Sequence, residues 1–412
     1  MVHGYLNTGV KAQCSGCSAC VQACPFGALA MEKDAEGFSY PVLDAELCRD
    51  CGLCHRACPM ERPPALHDGA REVFGGHHVD AGVLAGSTSG GAFTALVQAW
   101  FDRPGDRVVW GAVAHGLEVR HECAASADDA AKFRKSKYSQ SDMGLAYREI
   151  RKQLSEGWSV LFSGTPCQVA GLYAYLGNSP SGELLTVEVI CEGVPSPHYI
   201  QKYAKRLEAR YKTSLETLDY RDKDGRKWDF QVMSASLESG HHFKVDRWFN
   251  PYWSIWLQHL MNRPSCYTCS FARPERVADI SLGDLWGVHI YCPDLYNGNA
   301  GASLVVCSTE AGVALLGAAR SRLSGRGLSF EDALRYQGPM RRPVGWEPRR
   351  GAFMRDLLSM DIDELERKWA KRPTIRLLAS KYLWGNRQKV TLWKIRERIR
   401  TSGKGRDDNV LR

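Results

Sequence analysis

The chain has 412 residues, 44% hydrophobic and 24% charged, ordinary globular values that exclude a disordered chain. No run approaches the roughly 18 to 20 uninterrupted apolar residues of a membrane-spanning helix, and the N-terminal MVHGYLNTGVKAQCSGCSAC lacks a signal peptide's apolar core. The expectation is a cytoplasmic protein of two or three domains, at about 150 residues each. Fifteen cysteines and a net charge of +8 stand out, and both are unevenly spread.

Eight of the 15 cysteines lie in the first 58 residues: Cys14, Cys17, Cys20, Cys24, Cys48, Cys51, Cys54 and Cys58. They read as one phrase twice, C-x2-C-x2-C-x3-C-P. Disulfides fit poorly without a secretory signal, and zinc calls for paired cysteines rather than two sets of four. Three cysteines at this spacing wrap one iron–sulfur cube, and the fourth, before proline, crosses to the other. The expected sets are Cys14, Cys17, Cys20 and Cys58 for one [4Fe–4S] cluster, and Cys48, Cys51, Cys54 and Cys24 for the second. Small residues such as Ser15, Gly16, Ala19 and Gly52 leave room for sulfide and for N–H···S bonds. Residues 1–62 resemble bacterial-type ferredoxin domains, an α+β unit that carries single electrons.

Residues 61–69, with two prolines, open a linker expected to run over 63–80. Residues 82–100 read as a short strand or turn, a Gly/Ser loop that offers N–H groups to an anion, and a helix with Phe93, Leu96, Val97 and Trp100 on one face. On local grounds Ser89 is equally a plain helix cap. Strand-like runs follow at 107–114 and 158–166, with the basic, hydroxyl-rich stretch 133–144 and a helix to about 156 between them. WSVLFSGTPCQVAGLYAYL places Cys167 between a strand's end and a helix's start, an electropositive position. Strand 186–190 does the same for Cys191. Strands alternating with helices predict an α/β domain, whose ligands collect at the carboxyl ends of strands. Cys266 and Cys269 form a C-x2-C pair, which alone suits zinc or two buried thiols. Joined with Cys167 and Cys191 it suggests a third [4Fe–4S] cluster. Cys123, Cys292 and Cys307 read as singletons, Cys307 as a buried strand residue. His241 and His242 read as surface residues, and Trp286 as core.

Six phrases occur in one order: GSTSGGAFTAL (86–96), KSKYSQSD (135–142), SGTPCQVAGL (163–172), CEGVPSP (191–197), RPSCYTC (263–269) and ADISLGDLWG (278–287). They resemble the family of beta subunits of coenzyme F420 hydrogenases and dehydrogenases, fused to a ferredoxin domain, over residues 1 to about 290. The resemblance implies an FAD-containing iron–sulfur oxidoreductase with coenzyme F420 as a candidate substrate. It implies cofactor contacts from Gly86, Ser87, Ser89, Gly90, Gly91, Lys135, Ser136, Lys137, Tyr138, Ser141 and Thr165. It also implies metal ligation by Cys167, Cys191, Cys266 and Cys269. Broader relatives reduce chlorophyll-type pigments or accompany surface-polysaccharide enzymes. Where relatives often carry Cys-His-Gly, this chain has Cys191, Glu192 and Gly193, so the carboxylate or another group must take any proton-delivering or polarising role of that histidine. Lys137, Glu192 and Asp284 are the candidate catalytic groups. Asp279 and Asp284 read either as turn residues or as contacts to a ribityl chain or substrate.

Two halves of one α/β body are expected at 81–190 and 191–345, followed by a basic helical tail over 346–412. Between Arg367 and Arg406 stand 14 basic residues and one acid, Glu397, which leaves a net −5 for the remainder. The tail reads as one or two amphipathic helices broken near Gly385, either packed on the body or bound to an anionic membrane surface or an acidic protein. No nucleic-acid recognition module accompanies the charge. Two functions follow: an oxidoreductase passing electrons between the clusters and FAD to a soluble organic acceptor, or an adaptor delivering electrons to a partner enzyme. The expected partners are a redox protein or ferredoxin and a small-molecule acceptor, at the cytoplasmic face of the membrane if the tail binds there.

Overall fold

The computed structural model describes residues 4–177 and 182–407, with side chains through Ile399; the side chains of Arg400, Lys404 and Arg406 lie outside the described residues. The N-terminal unit is built twice on the same local geometry. Gly16 and Asp50 stand two residues after Cys14 and Cys48, and both are left-handed (φ 72° and 48°). Ser18 and Gly52, one residue after Cys17 and Cys51, repeat this (φ 59° and 68°) and start the short helices Ala19–Ala23 and Leu53–Arg56. A hairpin of β1 (Leu29–Lys33) and β2 (Ser39–Leu43) joins the halves.

The body holds an eight-stranded mixed sheet built from β3 (Glu72–His78), β4 (Arg107–His115), β5 (Glu118–Ala124), β6 (Ser159–Gly164), β7 (Leu184–Val189), β11 (Ile280–Asp284), β12 (Ser303–Cys307) and β13 (Leu323–Gly327). Its order is β13-β3-β12-β11-β7-β6-β4-β5. The central run β4-β6-β7-β11 is parallel, and the flanking pairs are antiparallel. Alternation along the strands feeds both faces. Val109 and Leu161 pack under helices Ala92–Phe101 and Glu310–Ala319. Val108, Trp110, Val160 and Phe162 pack under helices Ala146–Ser155 and Pro166–Leu176. A smaller antiparallel sheet of β8 (Leu215–Asp222), β9 (Val232–Leu237) and β10 (His242–Val245) backs onto helices Pro197–Tyr211 and Pro251–Trp256.

Two sequence expectations need correction, and one pair of alternatives is decided. The stretch expected as linker contains β3, which pairs with β12 on one side and β13 on the other. Its glycines hid it, because Gly75 and Gly76 remove the strand signal where neighbouring backbone and side chains press close: a Cβ on Gly76 would meet Ser324 O at 2.3 Å. Residues 81–85, read from the sequence as a short strand or turn, form a helical turn capped by the Asp80 carboxylate. The region expected as tail begins with helices Arg350–Ser359 and Ile362–Trp369, whose Phe353, Leu357 and Leu365 are fully buried in the core of the smaller sheet. The basic segment proper then runs as Ile375–Leu378, Ala379–Leu383 and Asn386–Asp407, interrupted at Trp384 and Gly385. Among the described residues no helix is long and apolar enough to cross a membrane.

Arg263, only 1% exposed, fastens the N-terminal unit to the body. Its Nε donates to Cys14 O (3.0 Å), Nη1 to Gln140 Oε1 (3.1 Å) and Nη2 to Ser39 O (2.9 Å), and its plane lies 4.2 Å from the Tyr40 ring centroid. Gln140 in turn donates to Ser15 O and Gly16 O. Gly16 has no Cβ because the guanidinium stands 2.8 Å from where one would be. Arg263→Met leaves these acceptors dry and should cost at least about 2 kcal/mol, read as a lowered midpoint in denaturant for the whole chain.

Candidate functional site: thiol cavities beside a large cleft

The structure gathers the cysteines of two of the three expected sets at cavities. Cys14, Cys17, Cys20 and Cys58 line one small cavity. Cys167, Cys191, Cys266 and Cys269 line another. Cys24, Cys48 and Cys54 pack around Cys20 at the far side, with Cys51 exposed. Among the described residues no three Cys, His, Asp or Glu side chains converge on a point that would hold a single ion. The thiols stand around cavity walls instead, as a cluster with one iron per thiol requires. Each set repeats one device. Gly16 N donates to Cys14 Sγ, Asp50 N to Cys48 Sγ and Gly193 N to Cys191 Sγ, each at 3.4 Å and each from a left-handed residue two places on. Burial pushes the thiols up, Cys17 and Cys266 to about 12 and Cys269 to about 11. Iron loading must therefore displace protons from them.

The cavities adjoin. Ser15 and Met60 wall both the first thiol cavity and the inner one. Gly171 on helix Pro166–Leu176 admits this approach, since a Cβ there would stand 3.0 Å from Cys17 Sγ. The Cys266–Cys269 loop is held by Arg276, whose guanidinium donates to Phe271 O and Arg273 O and pairs with the fully buried Glu188, three residues before Cys191. Cys191, Gly193, Val194 and Pro339 wall both the inner thiol cavity and a cleft of about 470 Å³. That size falls within the ~300–1,000 Å³ of small-molecule sites. The cleft opens at the carboxyl ends of β6, β7 and β11, where Ser163, Gly164, Val189 and Asp284 line it.

Of the residues the family resemblance points to, Ser87, Ser89, Gly91, Lys135, Ser136, Lys137, Tyr138, Ser141 and Thr165 line the cleft, as do Glu192 and Asp284. Gly86 and Gly90 are not on its wall. Gly90 serves packing: a Cβ would meet Ser303 N at 2.4 Å and Gly76 O at 2.5 Å. The serine hydroxyls expected to face a ligand are spent within the protein, Ser87 on Val83 O (2.6 Å) and Ser89 on Ala302 O (2.7 Å). The helix cap is Gly91, not Ser89, and the helix's first turn (Ala92, Phe93, Thr94) faces the cleft without a side-chain cap. Lys135 is half exposed and paired with Asp219. Lys137 donates to Phe133 O and Arg134 O, and burial lowers it to about 8. Burial raises Glu192 against the pull of Arg247 and Arg221. Asp279 does not reach the cleft; its carboxylate accepts from Thr186 and Thr309. Trp286 lines the cleft and stacks on Trp228, rather than lying in the core alone. Cys292 and Cys307 are buried, and His241 and His242 are exposed.

Sequence reasoning missed three wall residues. Arg221, from the small sheet, donates through Nη1 to Asp284 Oδ2 (2.9 Å) and to the Tyr138 hydroxyl (3.2 Å), while its buried Nη2 has no protein partner. Gln231 Oε1 is buried and unpartnered beside it on the cleft wall. His121 donates from Nε2 to Ser163 O (2.9 Å) and accepts at Nδ1 from the Ser141 hydroxyl (2.8 Å). None of the three carries a motif: His121 comes from β5 of the large sheet, Arg221 from β8 of the small one and Gln231 from just before β9.

The fold and the site define an iron–sulfur electron-transfer protein. Residues 13–61 match the 4Fe-4S dicluster domain, and residues 158–324 match the family described as the C-terminal part of coenzyme F420 hydrogenase/dehydrogenase beta subunits. Through these two segments the protein is similar to beta subunits of such oxidoreductases, with a dicluster domain ahead of the matched part. It is 25% identical over 188 residues to a subunit of the F(420)H(2) dehydrogenase of Methanosarcina mazei, covering 43% of this sequence and 53% of that one. It is 42% identical over 52 residues to one component of the anaerobic dimethyl sulfoxide reductase of Haemophilus influenzae, covering 12% and 23%. The match thus spans about half the length of the first relative and less than a quarter of the second. A polypeptide of the xenon-derivatized F420-reducing [NiFe] hydrogenase complex from Methanosarcina barkeri aligns at TM-score 0.43 and 16% identity, over 74% of this sequence and 94% of that one.

Burial lowers the His121 imidazole from an ordinary 6.5 to about 4. A group depressed in the folded state contributes stability that is full above its unfolded value and lost as pH falls towards the folded one. Stability should therefore drop by about 3 kcal/mol between pH 6.5 and 4 on account of this residue. Denaturant midpoints at pH 7 and 4.5 should fall less in His121→Gln than in the wild type.

Proposed function

We propose that the chain is an iron–sulfur flavoprotein oxidoreductase. It passes electrons between two ferredoxin-type clusters, a third [4Fe–4S] cluster on Cys167, Cys191, Cys266 and Cys269, and FAD in the large cleft, to reduce or oxidise a soluble organic acceptor. The observation that carries this reading is the shared walls: outer thiol cavity, inner thiol cavity and cleft adjoin in series. Bound in the cleft, a flavin would supply the exchange between single electrons and a hydride. Its anionic part would be held by the uncapped turn at Ala92–Thr94 and by the orphan Nη2 of Arg221. Lys137 and the Arg221–Asp284 pair would orient it. Glu192, whose carboxyl pKa is raised by burial, stands on the cleft wall where relatives often carry histidine. A deazaflavin of the F420 type is the proposed acceptor, supported by the family match. The exposed Cys51 marks the outer end, where a redox partner or ferredoxin would dock; this also favours the second reading, an adaptor that serves a partner enzyme.

Anaerobic analysis of reconstituted protein should find about 12 iron atoms per chain, at four per cube, and one FAD. Cys191→Ala should lower iron to about eight and leave the ferredoxin clusters in place. Zinc in place of four of the irons overturns the third cluster, and absence of flavin overturns the cleft assignment. Turnover of F420 by the isolated chain separates the enzyme from the adaptor.

We further propose that the basic segment rests on an anionic membrane surface. On helix Asn386–Asp407, Val390 is buried against the body and Trp393 is half-buried beside that face. Leu392, Ile395 and Ile399, at i, i+3 and i+7, form an exposed stripe on the opposite face, with Leu383 and Trp384 exposed ahead of it. Arg387 and Lys394 lie on one flank of the stripe, Lys389 and Arg396 on the other, all exposed. Pairing with a second copy would set these cations against one another, whereas anionic lipid neutralises them as the stripe inserts. The full chain should sediment with phosphatidylglycerol vesicles and not with phosphatidylcholine, less so at high salt. The double variant Leu392→Asp, Ile395→Asp should abolish it. Unchanged sedimentation in that variant, or equal binding to both lipids, overturns the proposal.

A further inference from the structure

The basic segment also closes a second cavity, of about 210 Å³. It is separated from the large cleft by Trp286, which walls both and stacks on Trp228 at 5.4 Å with 7° between the ring planes. The volume equals about seven waters at ~30 Å³ each, enough for one ring and one charged substituent. The tail supplies Lys381, Gly385 and Asn386 to the wall, and the segment after β10 supplies Arg247 and Trp248. These residues lie outside the segment that carries the family match or on loops between its strands.

The polar groups here are left over from the protein's own bonding. Trp248 Nε1 and the Tyr296 hydroxyl are buried and meet no partner. Among the described residues neither the Arg247 guanidinium nor the Lys381 ammonium forms an ion pair; both lie over the Trp248 ring, at 4.5 and 5.2 Å from its centroid. Burial and neighbouring cations lower the pKa of both. The carboxylate at this wall, Asp229, is already engaged by the side-chain amides of Asn386 and Asn299. Buried donors without acceptors are costly, and two cations gathered at one aromatic ring repel. Flat walls, two unpaired cations and two free donors converge on one chemistry.

We propose that this pocket binds a small planar anion, a ring bearing a phosphate or carboxylate, with the ring against Trp286 and Trp248 and the charge on Arg247 and Lys381. The ligand is either a free compound or the anionic arm of a molecule whose other end lies in the large cleft. The site does not depend on the flavin assignment. Isothermal titration of the full chain, loaded with its clusters, should show one saturable site for phenyl phosphate and none for benzylamine. Lys381→Ala and Arg247→Gln, each checked for unchanged circular dichroism, should weaken binding at least tenfold, and Lys381→Arg should largely restore it. Displacement of phenyl phosphate by coenzyme F420 identifies the arm; undiminished binding in its presence identifies a free ligand; both support the site. No saturable phenyl phosphate binding, equal binding of benzylamine, or binding untouched by both substitutions overturns it. Iron and flavin contents are read separately, so failure here leaves the redox assignment standing.

Discussion

A single buried guanidinium holds the molecule together where its function is concentrated. Arg263 stands three residues before Cys266 in the sequence, yet its donors end on Cys14 O and Ser39 O of the N-terminal unit. One side chain therefore sets the outer thiol cavity against the inner one. A cation fully removed from water is tolerated only when its donors are matched, and here two backbone carbonyls, an amide and an aromatic face match it. Gly16 and Gly171 are small for the same reason: both stand where the two units touch. Electron exchange demands such closeness, because cofactors that cannot approach cannot exchange electrons at useful rates.

The same desolvation shapes the rest of the path. Thiols walled off from water resist ionisation, so any metal they take must displace their protons. Left-handed residues two places after a cysteine turn a backbone N–H onto sulfur in all three sets, although the third belongs to an unrelated part of the sequence. Buried pairs, Arg276 with Glu188 and Arg221 with Asp284, then fix the loops around the inner cavity and the cleft. The tail contributes on two faces, one closing the small aromatic pocket and the other open to the outside.

Much of this was legible before any coordinates. The repeated cysteine spacing and the strand-end positions of Cys167 and Cys191 point to two sets of four that the structure places on cavity walls, because ligand spacing is a local property. Lys137, Glu192 and Asp284, the candidate catalytic groups of the sequence, all stand on the cleft wall. The glycine-rich loop lies on the cleft wall through Ser87, Ser89 and Gly91. Ser87 and Ser89 look like ligand donors until the backbone carbonyls they satisfy are known. β3 was hidden by its glycines, which are there because other backbone comes too close for a side chain.

The sequence by itself determined what the protein can carry: the cysteines at cluster spacing, the alternating strands and helices, and a tail whose 14 basic residues face one acid. These are set by neighbours a few residues apart, and period and spacing record them. Only the tertiary structure decided what those parts make together. Arg221 and His121 reach the cleft, Arg263 joins the units, and Lys381 closes a pocket with Arg247. Each of these contacts links residues far apart in the sequence, and what selects them is the burial of charge and aromatic surface across a sheet whose strand order a linear pattern does not encode.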